Sequence, residues 1–183
     1  MDIEDNKVLR KEEYKCKFGM FEFMSNFFER DYADLIIINN ALDHCIDPYR
    51  SLIECYQVLK KDGCLHMEHT RAAAVYENWS GLHKWNIDCI NGEFVIWNYE
   101  HAVNISEVLK DSAEVVVSYD EQEIDRASQI ITIDIYKRKE IDLLQFIDKE
   151  SEERILLMCI DRLMLKQAKD SIEFYKLLNG VSF

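Results

Sequence analysis

Four histidines, at positions 44, 66, 69 and 83, are the side chains of this sequence best suited to move a proton near neutral pH. His66, Glu68 and His69 lie at the end of one apolar run, and His83 lies within Gly81-Leu-His-Lys-Trp85. Strand alternation puts His66 and Glu68 on one face and His69 on the other. His66, Glu68 and His83 are chemically able to hold a metal ion. Their spacing matches no recognised ligand pattern, so no metal is assigned. Each histidine also has a plainer role open to it, that of satisfying a loop backbone.

Two adjacent amides, Asn39 and Asn40, follow the run Leu35-Ile-Ile-Ile38. Amides in that place are costly unless hydrogen-bonded or facing a cavity. The carboxyl edge of an open α/β sheet is where ligand crevices form, so both are candidate binding residues beside a local turn role.

The elements that position these groups are legible. Leu35 to Ile38 is continuous and β-branched, which predicts a strand buried on both faces. Asp47-Pro48 is a helix start, with Asp as N-cap and Pro in the first turn. Tyr49, Leu52, Ile53, Tyr56 and Leu59 follow at helical spacing. Lys60 and Lys61 sit where a helix end favours cations, and Gly63 suits a left-handed exit. Cys64 to Met67 reads as the next strand, parallel to the first.

Beyond it, 70–92 reads as an aromatic loop region with Tyr76, Trp79 and Trp85, and Phe18 to Phe28 as a short strand and loop. Glu93 to Asn98 reads as a strand and Ile105 to Leu109 as a helical turn. Val115 to Ser118 and Ile130 to Tyr136 read as an antiparallel pair. From Ile141 the pattern turns helical, with Ser151 as a cap and Ile155, Leu156, Cys159, Leu163 and Ile172 on the apolar side. Two units are expected: an α/β domain over 1–139 and a helical extension over 140–183 packed on it.

Composition bounds the function. The chain has 183 residues, 48% apolar and 31% charged, an ordinary globular mix. A net charge of −13 repels phosphate backbones and argues against a nucleic-acid partner. Lys137-Arg138-Lys139 reads as a solvated strand end. No apolar run nears the roughly 20 residues a membrane span needs. The acidic start is unlike a signal peptide, so a cytoplasmic location is expected. Six cysteines without clustered spacing read as reduced, mostly buried small hydrophobes.

Asp34-Leu-Ile-Ile-Ile, then Ala41-Leu-Asp-His-Cys-Ile-Asp-Pro48, then Val58-Leu-Lys-Lys-Asp-Gly63 resembles the middle of a class I S-adenosylmethionine-dependent methyltransferase, over roughly residues 20–70. The resemblance implies a partial Rossmann-like sheet, mostly parallel, with a terminal antiparallel hairpin and C-terminal helices. It implies S-adenosylmethionine as cofactor and a small-molecule acceptor, with the Gly-Leu-His-x-Trp-Asn segment loosely similar to sugar-related methyltransferases. Glu22 takes the place of the acidic residue that holds the adenine amino group, and Phe23 that of its ring contact. Asn39 and Asn40 complete the cofactor side. His44 stands in the family's Leu-x-His position, and with His69 and His83 it is assigned to the acceptor pocket.

One departure is large. The five glycines, at 19, 63, 81, 92 and 180, are too far apart for a Gly-x-Gly cofactor loop, and the acidic residue that binds the ribose has no counterpart. The expectation is therefore an amino-terminally truncated domain with an incomplete cofactor site. The alternative is a catalytically inactive remnant or an interaction module. Without a neighbour, the strand at Leu35 to Ile38 is an exposed apolar edge. That predicts a homodimer through the edge, cover from residues 1–17, or poor stability.

Overall fold

The computed structural model describes residues 20–119 and 129–141. The helical extension, the segment joining the last two strands, Cys16 and Cys159 lie outside the described residues.

Among the described residues, seven strands form two sheets. Strand β1 (Ala33–Asn39) leads through the 3-10 turn Leu42–His44 to helix α1 (Pro48–Val58), which runs into β2 (Leu59–Thr70). A short helix α2 (Ala73–Tyr76) precedes β3 (Asn86–Ile90), β4 (Glu93–Trp97) and β5 (Ala102–Asn104). Helix α3 (Ile105–Leu109), β6 (Ala113–Tyr119) and β7 (Ile130–Lys137) follow. The main sheet has the order β1-β2-β7-β6, and β3-β4-β5 form a second, antiparallel sheet.

Strand β1 is parallel to β2, as expected of a strand–helix–strand unit. Strand β7 is antiparallel to both β2 and β6, so β1, β2 and β6 run one way and only β7 is reversed. The expected antiparallel pairing of the last two strands is observed, with β7 lying between β2 and β6.

The start of α1 follows the sequence reading. Asp47 Oδ1 accepts the Arg50 N–H at 2.9 Å and Pro48 opens the helix. Leu52, Ile53, Tyr56 and Leu59 are buried, and so are Arg50, Ser51, Glu54 and Cys55, so α1 is enclosed on nearly every side. Its end departs from the reading. The helix stops at Val58, Leu59 is extended at φ −72°, and β2 starts there. Gly63 is not in the left-handed region; Asp62 is, at φ 64°. Gly63 is needed for space: a Cβ would sit 2.9 Å from the Lys60 carbonyl oxygen and 3.0 Å from that of Asp34. The close approach accompanies a register shift, in which Ala33 pairs with Leu59 but Leu35 with Cys64.

One face of the main sheet carries the core. Ile38 of β1, Leu65 and Met67 of β2, and Ile131, Ile133 and Ile135 of β7 pack with Leu52 and Tyr56 of α1 and with Ile87, Phe94 and Ile96 of the small sheet. The expectation that β1 is buried on both faces is corrected. Leu35 is 55% and Ile37 59% exposed, because β1 is an edge strand and no described residue covers that face. Two further readings change. The 20–28 region forms a 3-10 turn at Phe21–Asn26 rather than a strand, and 86–90, read as loop, is strand β3. The four described cysteines, 45, 55, 64 and 89, are unpaired thiols, buried except for the half-buried Cys64. Burial pushes the Cys55 thiol up to about 12, which keeps it an inert hydrophobe.

Lys137 is not part of a solvated strand end. It is fully buried, and its Nζ donates to the Leu59 carbonyl at 2.6 Å while pairing with Asp31 at 3.1 Å and Glu140 at 2.7 Å. The ammonium thereby ties the end of β7 to the junction of α1 and β2. Lys137→Met keeps the apolar stem but leaves a buried carbonyl unpaired, so it should cost about 2 kcal/mol of stability. Urea denaturation checks this, and an unchanged midpoint would refute the tie.

Candidate active site

Parallel strands β1 and β2 end together, and the chain turns there to build a cluster around Asp43. The 3-10 turn Leu42–His44 presents Asp43 with no exposed surface and His44 half-exposed. His69, at the end of β2, is fully buried on the core face. The Leu42 N–H donates to His69 Nε2 at 3.0 Å, which fixes the turn against β2. His83 arrives from the segment between α2 and β3, where Gly81 takes φ +53°. The Trp85 indole N–H donates to the Ile46 carbonyl at 3.1 Å and holds this segment against the chain leading into α1.

The geometry is that of a carboxylate ringed by imidazoles. Asp43 Oδ2 lies 2.7 Å from His83 Nδ1 and 3.6 Å from His44 Nε2, and Asp43 Oδ1 lies 3.7 Å from His69 Nε2. The His44 and His83 rings meet edge to face with centroids 4.5 Å apart. Burial pushes His69 down to about 4, against the opposing pull of the Asp43 charge. His69 is therefore neutral at pH 7, with Nε2 as acceptor and the proton on Nδ1. In the Asp43–His83 contact, the carboxylate orients an imidazole so that its other nitrogen can take up a proton.

The structure thus brings His44, His69 and His83 together, and Asp43 is the residue that sequence reasoning missed. Asp43 carries no pattern of its own; its role comes from a contact with a residue 40 positions away. His66 and Glu68 are not part of this group. They lie on the opposite face of β2, where His66 Nδ1 meets Asp134 at 2.7 Å, so the metal set of His66, Glu68 and His83 is not assembled.

The residues assigned to the cofactor side are placed as follows. Glu22 is buried, and its Oε1 accepts the N–H groups of Ile46 at 2.7 Å and Asp47 at 3.3 Å. Phe23 is half-buried under the Arg50 guanidinium, 4.8 Å from the ring centroid. Asn39 is exposed at the end of β1. Asn40 has φ 45°, and its Oδ1 accepts the Thr70 N–H at 3.1 Å, which is the local turn role. Phe23 and Asn39 thus have surface left to offer a ligand, whereas Glu22 and Asn40 are engaged with the protein's own backbone.

Comparison with known proteins points in one direction. Residues 2–67 match the family model described as a methyltransferase domain. The chain is similar to the CurJ carbon methyltransferase at 18% identity and a TM-score of 0.51, covering 74% of this chain and 38% of that one. It is also similar to the N-methyltransferase NodS of Bradyrhizobium japonicum WM9, solved with S-adenosyl-L-homocysteine. There the identity is 11% and the TM-score 0.43, over 73% of this chain and 61% of that one. No curated protein matches the sequence. The chain spans less than two thirds of the length of both solved structures, 38% of one and 61% of the other. Residues 2–67 thus match a methyltransferase-domain model, and the mixed α/β fold is similar to that of a solved methyltransferase.

The buried neutral His69 makes stability depend on pH. Its folded value, near 4, lies below the ordinary 6.5, so the unfolded chain binds more protons between those two values. Stability is therefore lost on acidification through that window. Between about pH 7 and about pH 5 this one group should cost about 2 kcal/mol. Denaturation at both values should show His69→Asn losing correspondingly less than the parent chain; equal losses would clear His69 as the cause.

Proposed function

We propose that the domain serves methyl transfer from S-adenosylmethionine to a small-molecule acceptor, with the Asp43-centred cluster activating the acceptor. The observation that carries this reading is the 2.7 Å contact between Asp43 Oδ2 and His83 Nδ1 at the carboxyl edge of β1 and β2. That edge is where α/β folds place their ligands.

When bound, S-adenosylmethionine supplies an electrophilic methyl group on a sulfonium. Of the described residues, Phe23 and Asn39 suit its adenosine end, and no glycine-rich turn exists in this sequence for its methionine end. His83, held through Nδ1 by Asp43, keeps Nε2 available to take the proton of an acceptor hydroxyl or amine. His44 packs on its ring edge, and His69 fixes the turn that carries Asp43. Positioned base catalysis of this kind contributes roughly 100- to 10,000-fold.

A sugar-related acceptor is the finer form of the proposal. Trp79 and Tyr99 are tilted by 31° with centroids 3.8 Å apart, and Trp79 meets Trp97 edge to face at 6.2 Å. Trp97 and Tyr99 line an open hollow of about 470 Å³. Aromatic faces of this sort pack against the C–H faces of sugar rings while polar groups orient the hydroxyls.

A calorimetric titration with S-adenosylhomocysteine tests the reading. Saturable binding at micromolar concentration is expected, with His83→Gln binding as tightly as the parent chain. No heat of binding from demonstrably folded protein would overturn the proposal. With an acceptor in hand, His83→Gln should lower kcat by about 100-fold or more.

A further inference from the structure

We infer that Asp43, His44 and His83 form a divalent-cation site, of which zinc is the best-suited occupant. One ligand atom from each of the three residues lies within 4.8 Å of the other two. Two imidazoles and a carboxylate form a mixed nitrogen–oxygen set that suits zinc. Three protein ligands leave a fourth position open, the arrangement of catalytic rather than structural zinc.

A second observation points to a ligand. Asp43 is 0% exposed, and its Oδ1 has no hydrogen-bond partner. A buried carboxylate charge is costly, and a cation bound at its Oδ2, between His44 and His83, would compensate that charge. The opposite side of the cluster is reachable, because the His44 and His83 side chains are 36% and 27% exposed. A hydrated ion can therefore enter from solvent and meet the buried carboxylate last.

The two ligand pairs that include the carboxylate are near the required spacing. Ligands at the usual zinc distances stand about 3.3 Å apart around a tetrahedral ion. His44 Nε2 and Asp43 Oδ2 are 3.6 Å apart, and His83 Nδ1 and Asp43 Oδ2 must open from 2.7 Å by about half an ångström. The ion takes the place of the proton on His83 Nδ1, which moves to Nε2, so with zinc bound His83 is a ligand and not a base. The open position then faces solvent as a place for water or an acceptor oxygen. His69 accepts the Leu42 N–H and so fixes the turn that carries Asp43, without being a ligand.

Zinc binding is read without cofactor or acceptor, so it stands or falls apart from the methyl-transfer proposal. Chelator-treated full-length protein should be titrated with zinc chloride by calorimetry; one zinc per chain is expected. His44→Gln and His83→Gln each remove a half-exposed ligand. Each should weaken binding by more than the roughly 10- to 100-fold that loss of an outer partner costs. His101→Gln, at an exposed site beside Glu100, should bind as the parent does. Cobalt(II) in place of zinc should give visible d–d bands without a thiolate charge-transfer band. No zinc uptake, equal affinity in both ligand variants, or a thiolate band traced to the cysteines would overturn the assignment.

Discussion

A carboxylate with no exposed surface has to be compensated by its neighbours, and Asp43 organises this end of the molecule for that reason. It sits on a three-residue turn just after an edge strand, where little secondary structure holds it. Three imidazoles converge on it, one from its own turn and two from other parts of the chain. His69 belongs to β2, His44 shares the turn, and His83 is carried by a segment pinned through Trp85. The charge thus draws together two strand ends and a long connection that apolar packing alone would leave loosely placed. A buried ionised group is a weak source of stability but a strong source of geometry.

The strand–helix–strand unit was readable because each of its signals is local. The apolar run, the Asp-Pro helix start and the helical spacing of Leu52, Ile53 and Tyr56 each depend on a few neighbouring residues. The errors were of another kind. Burial of both faces of β1 was inferred from composition, but composition cannot report whether a neighbouring layer exists. Gly63 has the residue type of a helix exit, yet its duty is to admit two carbonyl oxygens. Lys137 reads as surface from sequence because its acceptor, the Leu59 carbonyl, lies 78 positions away.

The candidate site was legible as a set of histidines and illegible as a constellation. Motif position singled out His44, and a strand end and an aromatic loop singled out His69 and His83; the structure places all three around one carboxylate. What joins them is a residue with no signature, because aspartate in a turn is usually only a turn former. Ligands at positions 43, 44 and 83 also defeat spacing rules, which depend on pairs within a few residues of each other on one element.

Ile46 has a consequence for how the two sides of the site communicate. Its N–H is held by the Glu22 carboxylate, and its carbonyl holds the Trp85 indole. One residue is therefore the shared tether of the 3-10 turn assigned to the cofactor side and the segment that delivers His83. A ligand that drew the Glu22 carboxylate toward itself would slacken the amide end of this tether, and the carbonyl end could not stay still. A shift of the 3-10 turn at Phe21–Asn26 would thus be carried through Ile46 to the segment that bears His83.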